Sequence, residues 1–296
     1  MENLFANCNL CPRRCGADRT GGRTGFCRMP DYPLVNLIKL HYGEEPIISG
    51  TNGSGTVFFE GCSLGCIYCQ NYLISRGPTG RGTRMDKDSL ADSYLMLQEQ
   101  GANNINLVTP MHFAPVVAES VAKARSSGLK IPVAINCSGY DLVQTLRLFD
   151  GLADIYIPDM KYFSPKFSAE YSRARDYFSV CCLAIDEMVR QTGDVVIGED
   201  GLIRKGVIVR HLILPGGLFD SKHILDYLVS RYGNRIYISL MSQYTPMPSC
   251  TGKLKERPSQ RSCETLSDYL ASKGQTNAFV QEYDSGGNEM IPDFLT

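Results

Sequence analysis

The sequence has no tryptophan, only four histidines and no excess of either charge. Its 30 Lys and Arg stand against 31 Asp and Glu, for a net charge of −1 and a pI near 6.4. The missing tryptophan excludes nothing by itself. The balanced charge argues against a broad nucleic-acid-binding surface, so nucleic acid is not an expected partner. No apolar run approaches the ~18 residues of a membrane-spanning helix, and MENLFANCNLCPRR at the N-terminus has no apolar stretch of the signal-peptide kind. No membrane partner is expected, and the chain reads as soluble and cytoplasmic. It carries no internal repeat or low-complexity tract. Cysteine is the unusual component. Twelve in 296 residues is about 4%, below the ~8–10% of a disulfide scaffold. In a reducing compartment such thiols are free to bind metals.

The stretch around which the chain is organised is Gly61-Cys62-Ser63-Leu64-Gly65-Cys66-Ile67-Tyr68-Cys69-Gln70-Asn71. Cys62, Cys66 and Cys69 stand at C-x3-C-x2-C. Three thiolates on one short loop suit three irons of a [4Fe–4S] cube, which is normally held by four. The next cysteine, Cys137, belongs to another element, so one iron would stay open, as catalytic metal sites keep a free position. The alternatives are an incomplete zinc site or buried small apolar residues. Zinc sites usually pair two C-x2-C units or add histidine, and no histidine lies near this loop. Gly61 and Gly65 suit a loop wrapped closely around a ligand.

Residues 1–48 read as a separate N-terminal segment. Cys8, Cys11, Cys15 and Cys27 fall at C-x2-C-x3-C-x11-C among turn-forming Gly and Pro. Four thiolates in twenty residues could fold around one zinc ion or one iron–sulfur cluster. The first reading is a metal-stapled structural knot packed on the main domain. The second is an auxiliary cluster that relays electrons or ligates substrate.

From about residue 53 strands and helices alternate. Strands are expected at Thr56–Phe59, Asn104–Thr109, Pro132–Asn136, Ile155–Pro158, Val207–Leu214 and Tyr237–Met241, from their β-branched and aromatic content. Helices are expected at Ser89–Gln100 with Asp88 as N-cap, Ala114–Ala124, Asp141–Phe149, 165–173, 176–192 and Asp220–Tyr232. Residues 49–247 form the expected core, and 248–296 a less regular C-terminal extension with a helix near 264–273 and a strand at Ala278–Glu282. Repeated βα units imply a parallel sheet.

In parallel β/α architectures ligands bind at the carboxyl ends of the strands. That rule nominates the cluster loop, Thr109-Pro110-Met111-His112, Asn136-Cys137-Ser138-Gly139-Tyr140, Asp159-Met160-Lys161, Pro215-Gly216-Gly217 and Ser242-Gln243-Tyr244. Each has a bland reading: Asp-x-Lys as an exposed ion pair, a loop Asn or Ser as a turn former. His112 is either a substrate-side acid or base or a satisfied surface histidine, and His211 is structural. Cys137 is a hydrogen-atom donor or, more simply, a buried inert thiol. Cys181 and Cys182 cannot both face one ligand, and Cys250 with Cys263 are too few for a cluster.

The run Gly53-Ser54-Gly55-Thr56-Val57-Phe58-Phe59-Glu60-Gly61-Cys62 through Asn71 resembles the radical S-adenosylmethionine (radical SAM) enzymes, in particular the branch related to pyruvate formate-lyase activating enzyme. The resemblance runs from Cys8 to the C-terminus. It implies a partial (β/α)6 TIM-like barrel with a small N-terminal Cys-rich segment and a C-terminal extension. The implied cofactors are a [4Fe–4S] cluster on Cys62, Cys66 and Cys69 and S-adenosylmethionine chelated by the open iron, with Tyr68 beside the cofactor. Thr109 and Pro110 occupy the place of a Gly-Gly-Glu-Pro segment that contacts the methionyl amino group, without its acidic residue. Asn136 and Ser138 lie in a segment like Asp-Thr-Asn-Gly, with Asn136 where the acid would be. Asp159-Met160-Lys161 resembles Asp-Leu-Lys, with Lys161 implied to meet the methionyl carboxylate and Asp159 to accept cofactor hydrogen bonds. Gln243 or Tyr244 would lie near the adenosyl end.

The implied activity is reductive cleavage of S-adenosylmethionine and hydrogen abstraction from a substrate, for which a glycyl radical enzyme is one candidate and another protein, peptide or small molecule the other. An electron donor such as flavodoxin or ferredoxin is the implied partner. The four extra cysteines precede the triad, whereas activating enzymes with ferredoxin-like cysteines insert them after it. The reading from a different class is a non-catalytic metal-binding or redox-sensing iron–sulfur protein working through Cys8, Cys11, Cys15 and Cys27.

Overall fold

Alternation of side chains along each strand decides this architecture. In a computed structural model, which describes residues 4–281, Tyr283 and Phe294, the described residues form one ten-stranded sheet. Its strands are β1 (Leu34–His41), β2 (Ser54–Phe59), β3 (Thr83–Arg84), β4 (Ile105–Val108), β5 (Val133–Cys137), β6 (Ile155–Pro158), β7 (Val196–Ile197), β8 (Ile203–Leu212), β9 (Tyr237–Met241) and β10 (Ala278–Val280). The order is β10-β9-β8-β6-β5-β4-β2-β1-β3, with β7 hairpinned to β8. The stretch from β2 to β10 is parallel throughout. The sheet does not close on itself, which makes it a partial, TIM-like barrel.

The helices are α1 (Pro46–Ser49), α2 (Tyr72–Ser75), α3 (Lys87–Glu99), α4 (Ala114–Ser126), α5 (Val143–Leu146), α6 (Pro165–Ser172), α7 (Tyr177–Thr192), α8 (Leu218–Tyr232) and α9 (Gln260–Ser272). One alternating set of strand residues, including Val57, Ile105, Leu107, Ile135, Val207, Val209 and Ile238, shares a core with Leu90, Tyr94, Val117, Val121 and Ile224 of the helices. The opposite set faces the concave side, where Ala134, Ile155, Ile157 and Ile208 pack with Ile48. The same parity puts Phe58, Val108, Asn136, Arg210, Leu212, Ser239 and Met241 around the mouth of the barrel.

The six expected strands appear in the expected order, with differences at the edges. β1 lies inside the N-terminal segment expected to stand apart, yet pairs antiparallel with β2, so the sheet begins before residue 49. Its mixed sequence, LVNLIKLH, suits a strand with one partly exposed face. The N-cap of α3 is Asp86 rather than Asp88, its carboxylate accepting Ser89 N–H at 2.9 Å. The helix expected at Asp141–Phe149 shrinks to α5 followed by a 3-10 turn over Arg147–Phe149. β8 starts at Ile203, earlier than expected, because its first residues pair with β7. β10 matches the C-terminal strand through Val280, and Glu282 lies outside the described residues.

Candidate active site

β2 delivers the chain into the cysteine loop at the open end of the barrel. Gly61 has φ of +81° and lies so close to Met29 that a Cβ there would fall 2.4 Å from Met29 Cγ. Glu60, fully buried, accepts Asn36 Nδ2–H at 2.8 Å and the Thr79 N–H at 3.0 Å. These contacts fix the start of the loop. Each thiol then receives a donor: Leu64 N–H to Cys62 Sγ at 3.3 Å, Ser172 Oγ–H to Cys66 Sγ at 3.1 Å and Ser75 Oγ–H to Cys69 Sγ at 3.4 Å. Burial, then neighbouring Cys69 and Cys66, pushes the Cys62 thiol up to about 12, and burial likewise raises Cys69. Such thiols give up protons only to a cation, and a metal supplies one.

Among the described residues no three His, Cys, Asp or Glu side chains gather as they would around a single metal ion. A cube asks for less convergence, because each thiolate takes its own iron. The donor set and the space therefore fit a cube. Cys62, Cys66 and Cys69 line one wall of a cavity of about 470 Å³, within the ~300–1,000 Å³ range of small-molecule sites.

The facing walls come from the strand ends. Tyr68, Thr109, Asn136, Ser138, Asp159 and Lys161 all line this cavity. Pro110 does not; it caps the 3-10 turn Met111–Phe113 behind it, where Phe113 N–H donates to Pro110 O at 2.8 Å. Thr109 has φ of +60°, a conformation that costs a β-branched residue ~1–3 kcal/mol and concentrates at functional sites. Lys161 Nζ pairs with Asp159 Oδ2 at 2.8 Å. Burial disfavours the Lys161 charge, but Asp159 and the Cys66 and Cys69 sulfurs outweigh it and the net direction is up. The Tyr68 hydroxyl is buried without a hydrogen-bond partner, and its ring packs on Tyr162, Tyr171 and Tyr244.

Several residues of the site escaped the sequence. Tyr177, at the start of α7, places its hydroxyl 2.8 Å from both Ser138 O and Asp159 O, and accepts Lys161 N–H at 3.0 Å. It ties two strand ends together. Gly139 permits this, since a Cβ there would fall 2.2 Å from Asp159 O. On the same cavity wall, Arg210 pairs with Glu44 and Glu45, and Asn106 Nδ2 donates to Glu44 Oε1 at 2.8 Å. The one signal was polar residues at alternate positions of otherwise apolar runs: Asn106 in INLV, Asn136 in VAINC, Arg210 in VIVRHL near the end of β8.

Other expectations resolve simply. His112 is buried rather than on the surface: Nε2–H donates to Glu60 O at 2.8 Å, and burial, then Arg19, pulls its pKa down to about 3. It is a neutral structural group. His211 is structural as expected, bridging Met160 O (2.7 Å) and Ser221 Oγ (2.8 Å). Cys137 is buried and lines the cavity, with its pKa raised by burial and then Asp141. Gln243 lines the cavity, whereas Tyr244 turns its hydroxyl to Leu254 O at 2.5 Å. No helix among the described residues is long and apolar enough to cross a membrane.

Comparison with solved structures places this architecture. Streptococcus suis SuiB bound to its precursor peptide SuiA superposes with a TM-score of 0.52 at 14% identity, covering 75% of this chain. A radical SAM methyltransferase from Sphaerobacter thermophilus gives 0.51 at 16% identity, covering 80% of this chain and 68% of its own. SuiB bound to S-adenosylmethionine gives 0.51 at 13% identity. The fold is a partial barrel like that of these proteins. The matches span only 46–48% of SuiB. No family model matches the chain. In sequence it is 27% identical over 256 residues to the uncharacterized protein MJ0674 of Methanocaldococcus jannaschii, covering 83% of this chain and 68% of that one.

Proposed function

We propose that this chain is a radical SAM enzyme of the activating-enzyme-like branch, in which Cys62, Cys66 and Cys69 hold a [4Fe–4S] cluster and S-adenosylmethionine binds the open iron. The observation that carries the reading is the shared cavity, with three thiols on one wall and the ends of the fourth, fifth and sixth strands on the others. When bound, the cluster and S-adenosylmethionine supply reductive C–S cleavage and a radical able to take hydrogen from a substrate; the reducing electron comes from a donor of the flavodoxin or ferredoxin type.

The chain's own residues bind and orient. Lys161 offers its ammonium to the methionyl carboxylate, leaving Asp159 to accept from other polar groups of the cofactor. Thr109, Asn136 and Ser138 present backbone and side-chain oxygens to the amino and ribosyl groups, and Tyr68 lines the same cavity. Apolar Leu64, Val108, Leu212 and Met241 exclude water from the reacting centre.

The test is EPR of the anaerobically reconstituted, dithionite-reduced chain before and after adding S-adenosylmethionine. A reduced [4Fe–4S] signal that changes on addition supports an accessible iron. A signal that never responds would favour the redox-sensing reading instead. Replacing any one of Cys62, Cys66 or Cys69 by Ala is expected to abolish formation of 5′-deoxyadenosine, and cleavage at the wild-type rate in all three variants would sink the proposal. A glycyl radical protein as substrate is tested by mixing it with the loaded enzyme and looking for the glycyl EPR doublet.

A further inference from the structure

The four N-terminal cysteines lie outside the cavity, and nothing in the proposed reaction uses them. Two tight turns bring them together. Arg14 N–H donates to Cys11 O and Arg28 N–H to Gly25 O, each at 3.0 Å, with Arg14 and Arg28 both at positive φ. An antiparallel bridge between Cys8 and Ala17 closes the first turn back on Cys8. Gly25 leaves room for the Cys15 sulfur, which a Cβ at that position would meet at 2.2 Å. Cys8, Cys11 and Cys27 are buried, Cys15 exposed, and all four are free thiols. They are near enough to act on one another electrostatically.

The sulfurs are treated as acceptors, in the same way as the triad. The backbone N–H groups of Arg13 and Met29 lie near enough to the Cys11 and Cys27 sulfurs to favour their thiolates. Both sit at the two-residue offset of the Leu64 N–H that donates to Cys62 Sγ. The buried Arg19 adds Nη1–H to Cys8 Sγ at 3.6 Å. Donors aimed at ligand sulfurs are the outer-shell partners of a metal–thiolate site. A tetrahedral zinc site would draw at least three of these sulfurs to one point, and among the described residues no such group exists. The triad forms no such single-ion group either.

We infer that Cys8, Cys11, Cys15 and Cys27 bind a second, fully ligated [4Fe–4S] cluster rather than zinc, and that it holds the N-terminal knot against the loop of the first. With four thiolates this cluster has no open iron and does not bind S-adenosylmethionine. The mechanical link is Arg13, set between Cys11 and Cys15. Its guanidinium stacks 3.8 Å over the Phe26 ring and donates to Ser63 O and Leu64 O, each at 2.9 Å, and to Ser172 O at 2.6 Å. Ser63 and Leu64 lie between Cys62 and Cys66, and Ser172 is the donor to Cys66 Sγ.

The experiment is iron, sulfide and zinc analysis of the full chain reconstituted anaerobically with ferrous iron and sulfide, beside the C62A/C66A/C69A variant. The wild type should hold about eight irons and the variant about four, at four per cube, and the variant's reduced EPR signal should ignore S-adenosylmethionine. About one zinc per chain that reconstitution does not displace, or an iron-free folded variant, would overturn the inference. Should that variant not fold by circular dichroism, the C8A/C11A/C15A/C27A variant decides: about four irons fewer than wild type supports the inference, and an undiminished count overturns it. The two readings fail separately: loss of all iron with the triad removes this one, while iron that survives intact without the triad removes the radical SAM one.

Discussion

Tyr177→Phe is the substitution that asks most of the site's construction. It deletes one oxygen and keeps the ring, which stacks on Tyr140 and meets Tyr162 edge-on. That oxygen accepts Lys161 N–H and lies 2.8 Å from two carbonyls, Ser138 O and Asp159 O, only one of which its single proton can serve at a time. Its loss strands the Lys161 N–H and at least one carbonyl in a partly buried position. At ~1–3 kcal/mol for each buried unsatisfied group, the cost should be about 3 kcal/mol, or a fall in melting temperature of about 6–12 °C for a chain of this size. Urea and thermal denaturation of the cluster-free protein measure it. Because the same oxygen holds the strand ends that carry Asp159 and Lys161, the variant's S-adenosylmethionine-induced EPR change should also need a higher cofactor concentration. A variant as stable as wild type to within ~0.5 kcal/mol would show that the hydroxyl does not join these two loops.

Thr109→Gly should behave in the opposite sense, gaining about 1 kcal/mol in urea denaturation as the positive-φ cost is relieved and only partly offset by glycine's unfolded-state entropy, while weakening the response to S-adenosylmethionine. Arg210→Met leaves Glu44 and Glu45 buried without their cation and should cost ~3–5 kcal/mol, read from the urea midpoint at pH 7. Stability should also depend on pH through three buried groups. His112 and His211 are depressed to about 3 and about 4 by burial, so the unfolded chain binds the extra protons and stability is lost as pH falls below 6.5. Asp141, raised to about 6 by burial, works the other way, adding stability as pH falls from 6 towards 4. The urea midpoint of Asp141→Asn should therefore fall more steeply than wild type between pH 6 and 4; an equal slope would mean that Asp141 is ionised in the folded protein.

The strand-end residues came together because of how a parallel sheet is built. Once the six apolar runs were read as strands, their carboxyl ends had to share one rim, and Thr109, Asn136, Ser138, Asp159 and Lys161 do share it. Pro110 shows the resolution of that rule: one residue past Thr109, it already belongs to the next turn. His112 was misplaced because exposure depends on what packs over a turn, here the N-terminal segment through Arg19, whose Nη1–H donates to His112 O at 2.6 Å. β1 went unread because its partner, β2, decides its pairing, and LVNLIKLH carries no clean alternation of its own.

Sequence alone determined the cysteine spacing, the order of the parallel strands and hence which residues reach the rim, because these depend on local composition and the two-residue period of a strand. Tertiary structure decided what the rim residues do to one another. Tyr177 reaches across from α7 to two strand ends, Arg210 finds its two carboxylates some 165 residues earlier in the chain, and Arg13 grips the cysteine loop from the N-terminal knot. Each is a contact between distant segments whose energy comes from burial and hydrogen-bond geometry, neither of which exists until the sheet has folded.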